Sequence, residues 1–146
     1  MPDYNKIFTG VLKVFEKNST CIRIKVAALI IKDGRIISTG WNGVAPKCKH
    51  CESIFTVKEY NSKDHAAFSR ENEIHAEQNA LGWAARNGVS TEGADLYISI
   101  SPCSYCAKLI VAAGIKKVYY LKEYDRDSNG IAFLNKNGII CEIVNI

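Results

Sequence analysis

Asp95-Leu-Tyr-Ile-Ser-Ile-Ser-Pro-Cys-Ser-Tyr-Cys-Ala-Lys-Leu-Ile-Val-Ala-Ala-Gly-Ile-Lys-Lys-Val-Tyr-Tyr-Leu121 reads as strand, helix, strand. Asp95 to Ile100 alternates as a half-buried strand does. Ser101-Pro102 has the form of a helix start, a capping hydroxyl followed by proline at the first helical position. Cys103 to Ala113 then predicts a helix, closed by Gly114 where a left-handed residue suits the chain end. Lys117 to Leu121 is β-branched and aromatic, a second strand. Strands that alternate with helices imply a sheet covered on both faces, the α/β class.

The flanking sequence extends this pattern. Upstream, Glu71 to Asn87 predicts a helix ended by Gly88, and residues 4–17 set Ile7, Val11, Leu12 and Phe15 on one helical face. Val26 to Ile31, the pair Asp33-Gly34, and Arg35 to Thr39 form a hairpin signal. Downstream, Ile131 to Asn137 predicts a last helix and Ile139 to Ile146 a last strand, giving five strands in all. The stretch at about 42–70 is polar and irregular, and holds Cys48, His50, Cys51 and His65. It reads as a metal-binding loop insertion within one domain spanning 1–146, since so long a loop in a compact domain needs a functional or metal-bound reason.

Composition narrows the classes. The 146 residues are 47% hydrophobic and 23% charged with only three prolines, which excludes disorder and fibres. Apolar runs such as Val26 to Ile31 are far too short to span a bilayer, and no long apolar core opens the chain, so a cytoplasmic protein without a membrane is expected. Six cysteines, with two Cys-x-x-Cys pairs among them, then point to metal rather than disulfides. The net charge of +4 lies in residues 1–73, with 12 basic against 8 acidic residues, while residues 74–146 balance at 7 and 7. The basic residues are scattered, with no Lys/Arg stripe interleaved with aromatics, which argues against nucleic acid as a partner.

Two fragments carry chemistry: His75-Ala76-Glu77 and Pro102-Cys103-Ser104-Tyr105-Cys106. Either alone is weak. Together, each opening a helix, they match the H-x-E…P-C-x-x-C signature of zinc-dependent deaminases. Cys103 and Cys106 are three apart and share one face of a helical turn, so both can ligate one ion. A helix N-terminus favours the thiolate that a metal needs. His75 supplies a third ligand, and three protein ligands leave a tetrahedral position open, as in a catalytic zinc site. Glu77 stands beside them without ligating and is the candidate proton carrier.

With these motifs the chain resembles the cytidine deaminase superfamily, and within it the deoxycytidylate (dCMP) deaminases, including the phage-type enzymes. The resemblance runs through Ser19-Thr-Cys-Ile-Arg23, Thr39-Gly-Trp-Asn-Gly43, Asn72-Glu-Ile-His-Ala-Glu-Gln-Asn-Ala80 and Ala84-Ala-Arg-Asn-Gly88. It continues through the Cys-x-x-Cys block, Ala113-Gly-Ile-Lys-Lys117 and Tyr124-Asp125. It implies a three-layer α/β/α fold around a mixed five-stranded sheet. It also implies hydrolysis of dCMP to dUMP and ammonia, which supplies dUMP for dTTP synthesis. By the same resemblance Asn42 binds the nucleotide, Ala76 and Ser101 read the base through their backbone, and Arg23 and Tyr124 are candidates for the 5′-phosphate. Family members are typically hexamers, activated by dCTP with Mg2+ and inhibited by dTTP, and Arg86 matches a position tied to that regulation.

The resemblance further implies a second zinc, whose ligands in phage-type relatives include a cysteine matching Cys21 and a histidine ten residues before the catalytic one, here His65. Cys21, Cys48, Cys51 and His65 are the expected set for a closed structural site, with His50 and Glu73 as alternative donors. Cys141 lies in an apolar strand and reads as a buried small hydrophobe. Two other functions share parts of these features. A tRNA adenosine deaminase has the same zinc core, and a non-catalytic zinc-binding module would share the ligands, although it has no use for Glu77.

Overall fold

The computed structural model describes residues 2–57 and 59–145; Ile146, the predicted end of the last strand, lies outside them. Helix α1 (Tyr4–Phe15) begins where the Asp3 carboxylate accepts the Lys6 N–H at 3.1 Å. The hairpin follows as predicted: β1 (Ala27–Lys32) and β2 (Arg35–Trp41) run antiparallel. The two turn residues between them, Asp33 and Gly34, both take positive φ (52° and 73°), the geometry of an Asp-Gly hairpin turn.

The predicted insertion is more ordered than its composition suggests. It holds β3 (Gly43–Val44), α2 (Cys51–Ile54) and α3 (Ser62–Asn72). Asn61 starts α3 by accepting the N–H groups of Lys63 and Asp64 at 2.9 and 3.2 Å, a cap that polar composition alone had hidden. The single helix predicted over Glu71 to Asn87 is broken. Glu73–Ile74 forms β4 against β3, and α4 (Ala76–Arg86) starts after it with His75 at its N-cap. The tertiary pairing of Glu73 and Ile74 with Gly43 and Val44 overrides the helical pattern there.

β5 (Asp95–Ile100), α5 (Ser104–Ala112), β6 (Lys117–Lys122), α6 (Asn129–Lys136) and β7 (Ile140–Ile143) complete the chain. The sheet order is β2-β1-β5-β6-β7; β1 is antiparallel to both neighbours, and β5, β6 and β7 are parallel. This is the expected mixed five-stranded sheet. Alternation in β1 sends Ala28 and Ile30 to one face and Ala27, Leu29 and Ile31 to the other. The first face carries the main core beneath α4, α5 and α6, with Ala80, Ile110 and Leu134 fully buried. The second packs against Phe8 and Leu12 of α1, so helices cover both faces. Cys141, partly buried, packs against the larger core. No helix among the described residues is long and apolar enough to cross a membrane.

Candidate metal centres and substrate cavity

Two glycines permit close backbone approaches around the ligand-bearing segments, one between β2 and α4 and one between α6 and the turn that enters α5. A Cβ on Gly40 of β2 would collide with the Ala76 carbonyl and the Ala80 amide nitrogen. A Cβ on Gly130 of α6 would collide with the Pro102 carbonyl. The group that approaches Gly40, two residues before Asn42, is thus α4 itself. Side chains reinforce that contact. Ser38 Oγ donates to the Ala80 carbonyl at 2.6 Å, and Asn79 Nδ2 donates to the Trp41 carbonyl at 2.7 Å. At the helix start, the Gln78 side chain accepts the His75 N–H at 2.8 Å.

This anchoring brings His75, Cys103 and Cys106 together. His75 Nδ1 lies 3.7 Å from Cys103 Sγ and 3.3 Å from Cys106 Sγ. Tetrahedral zinc with ordinary Zn–N and Zn–S bonds separates such ligand atoms by about 3.6 Å, so this donor set fits the ion. Cys103, not Ser101, is the N-cap of α5. Ser101 follows directly on β5, its N–H donating to the Lys122 carbonyl of β6 at 2.9 Å. The Cys106 thiol and, after it, the His75 imidazole hold Cys103 down at about 4 against the opposing cost of burial. Cys106 is pushed in the opposite direction by its bond to the Cys103 sulfur and by burial. Cys103 raises the His75 pKa by hydrogen bonding.

Glu77, in the first turn of α4, is only 4% exposed. Burial raises its carboxyl above the usual carboxylate range, although its own backbone N–H and His75 pull the other way. It faces the same cavity as His75, Ala76 and Cys103. A buried carboxyl with a raised pKa is thus held beside the ligand triad.

A second cluster contributes Cys21, His65 and Glu73 to the lining of the same cavity. Cys21, Cys51, His65 and Glu73 bring one donor atom each to within 4.8 Å of one another. His65 Nε2 is 3.6 Å from Cys21 Sγ and 3.2 Å from Cys51 Sγ, and Glu73 Oε1 accepts from Cys21 Sγ at 3.6 Å. The other carboxylate oxygen of Glu73 is buried with no hydrogen-bond partner, which suits a ligand to a cation. Burial pushes the Cys21 thiol up to about 11, a cost that a bound cation would relieve. Cys48 does not join this set. It sits exposed in the turn after Lys47, while Cys51, one helical turn later, is fully buried. Glu73 takes the place that the sequence reading gives to Cys48, and His50 instead meets Thr20 Oγ1 at 3.1 Å near the surface.

The remaining candidates divide by position. Arg23, Asn42, Ala76, Ser101 and Tyr124 all line the cavity. The Asn42 amide accepts the Val26 N–H and donates to the Ile24 carbonyl, both at 2.9 Å, so it fixes the 24–26 rim as well as facing the cavity. Ser101 Oγ accepts the Tyr124 N–H at 2.7 Å and so places that residue. Ser69 of α3 also lines the cavity and is absent from the sequence candidates. A serine in a polar stretch gives no signal until α3 is placed. Arg86 is exposed at the last turn of α4, about 15 Å along the axis from the cavity end.

Comparison with known proteins agrees with this geometry. Residues 1–122 match the family described as the cytidine and deoxycytidylate deaminase zinc-binding region. The deoxycytidylate deaminase of Enterobacteria phage T2 is 40% identical over 162 aligned positions, covering 89% of this chain and 85% of that protein. The deoxycytidylate deaminase of Enterobacteria phage T4 is 38% identical, covering 89% and 83%. Among solved structures, the dCMP deaminase of cyanophage S-TIM5 in complex with dCMP and dUMP superposes with a TM-score of 0.82 at 34% identity, covering 99% of this chain and 98% of that one. With the His75, Glu77, Cys103 and Cys106 constellation in place and the match spanning most of its length, the chain belongs to the cytidine and deoxycytidylate deaminase zinc-binding family.

Proposed function

We propose that the protein is a dCMP deaminase, hydrolysing the exocyclic C–N bond of dCMP to give dUMP and ammonia. The observation that carries this reading is the juxtaposition of a three-donor triad with buried Glu77 in one cavity. The full-length similarity to enzymes that carry this name, one of them solved with dCMP and dUMP, selects the substrate.

Zinc held by His75, Cys103 and Cys106 supplies Lewis acidity that brings deprotonation of water into the neutral range. Glu77 is the proton carrier. It accepts a proton from the attacking water and delivers it to the ring nitrogen beside the amino-bearing carbon. It then takes the proton of the new hydroxyl group and passes it to the departing amine, so that the C–N bond breaks, the carbonyl of dUMP forms and ammonia leaves. Ala76 and Ser101 offer backbone groups to the base edge, Asn42 keeps an N–H and a lone pair for the sugar, and Arg23 with Tyr124 receives the 5′-phosphate. An always-charged guanidinium favours a nucleotide over a nucleoside.

Cys21, Cys51, His65 and Glu73 hold a second, structural zinc that fastens α2, α3 and β4 to the rim. Support comes from the burial of Cys21, Cys51 and His65 and from the buried, unpartnered oxygen of Glu73. Regulation by dCTP with Mg2+ and by dTTP, in a homo-oligomer in the cytoplasm, belongs to the same reading; the place of Arg86 away from the cavity fits an effector contact. Ammonia release from dCMP tests the activity. A rate curve that shifts with dCTP supports the regulation, and a hyperbola unmoved by dCTP refutes it.

A further inference from the structure

The loop that leaves β6 folds back over the start of α5. Asp127 Oδ2 accepts the Ser104 N–H at 2.9 Å and the Ser104 hydroxyl at 2.6 Å, and its Oδ1 accepts the Asn129 N–H at 3.0 Å. The first amides of a helix have no partner within it, and a side chain at the N-cap normally provides one. Here the N-cap is Cys103, which makes no capping bond, and its sulfur lies 3.7 Å from His75. The cap therefore comes from 23 residues downstream.

Two further contacts tie the same loop to the same backbone. The Tyr124 N–H donates to Ser101 Oγ at 2.7 Å, and Gly130 leaves no room for a Cβ against the Pro102 carbonyl. Residues 124–130 thus hold the Ser101–Ser104 segment, which carries Cys103 and leads into the turn of α5 that carries Cys106, and both sulfurs lie near His75.

We propose that Asp127 is a positioning residue for the His75–Cys103–Cys106 centre and for the Tyr124 rim of the cavity. Its hydrogen bonds go to Ser104 and Asn129 and not to the ligand side chains, and it does not line the cavity, so it acts through Ser104. Removing it frees the turn that carries both thiolates, so zinc leaves faster. It also slackens the loop that carries Tyr124, so KM for dCMP rises more than kcat falls. Partners of this kind around a metal site change affinity by about 10–100-fold when mutated.

The inference rests on the zinc reading above, and its test measures metal release as well as turnover. Zinc transfer from the loaded protein to a colorimetric chelator is followed well below the melting temperature. The catalytic phase is the one missing in Cys106→Ser. Asp127→Ala should accelerate that phase about tenfold and leave the other phase unchanged. Asp127→Asn, which keeps an acceptor oxygen, should fall between it and the parent, and Ser104→Ala, which keeps the backbone bond, should give a smaller acceleration. Parent-like release from Asp127→Ala, or equal acceleration of both phases, would overturn the inference alone. A parent protein with no zinc phase sensitive to Cys106→Ser would overturn the zinc reading together with it.

Discussion

A buried carboxyl is costly for stability, and Glu77 occupies such a position, as the proton-carrying role proposed above requires. Glu77→Gln should lower kcat by about 10²–10⁴-fold, the usual contribution of a positioned acid–base group, while elemental analysis finds its zinc unchanged. Parent-like turnover would remove Glu77 from the mechanism. Asp95 makes a contrasting case outside the cavity. Burial raises its pKa despite Lys116 and Lys117, and one of its oxygens has no partner. The folded state therefore binds the proton more tightly than the unfolded one, and this group erodes stability as pH rises from the ordinary Asp value through the folded one. Asp95→Asn should accordingly melt higher than the parent at pH 7, with the gain fading below about pH 4 where both forms are neutral. A gain that persists undiminished at low pH would contradict this.

At the scale of elements, the geometry of the centre depends on how closely α4 can lie on β2. Gly40→Ala forces the Cβ into backbone atoms of α4 that cannot rotate away, and overpacking of this kind costs about 1–3 kcal/mol or more. Thermal melts should show that loss, together with weaker zinc retention, because His75 and Glu77 sit on the displaced turn. An unchanged melt would show that the sheet yields without harm. The motif residues were legible in the sequence because three-residue ligand spacing and the His-x-Glu order are local. The Asp33-Gly34 hairpin and the parallel unit around α5 were legible for the same reason. Contacts between distant segments were not. The β3–β4 ladder that interrupts the expected helix over Glu71 to Asn87 depends on a partner 30 residues away. The choice of Glu73 over Cys48 depends on which way α2 turns, and that choice is made by the burial of Cys51 rather than by spacing.

For the molecule as a whole, two covers on one sheet do different work. Helix α1 closes a small aromatic and aliphatic core on one face, while α4 and α5 on the other carry the chemistry. The segment over 42–70 packs Phe55 against His65 and Phe68, and Tyr60 against His65, and the proposed second zinc would add a fastener at the same histidine. Cys51→Ser should lose one equivalent of zinc and lower the melting temperature while the His75 centre stays loaded; full zinc content would exclude the second site. The mild positive charge, spread without a stripe, agrees with a small anionic substrate, and the cavity with Arg23 at its rim gives that charge a local use. The most direct measurement is ammonia release by the zinc-loaded protein from dCMP, CMP, deoxycytidine and dCTP side by side, with Glu77→Gln as the control. Turnover of dCMP should stand well above the other three and fall by about 10²–10⁴-fold in the control. Preference for deoxycytidine, or no deamination of dCMP by protein that holds its zinc, would contradict the proposed function.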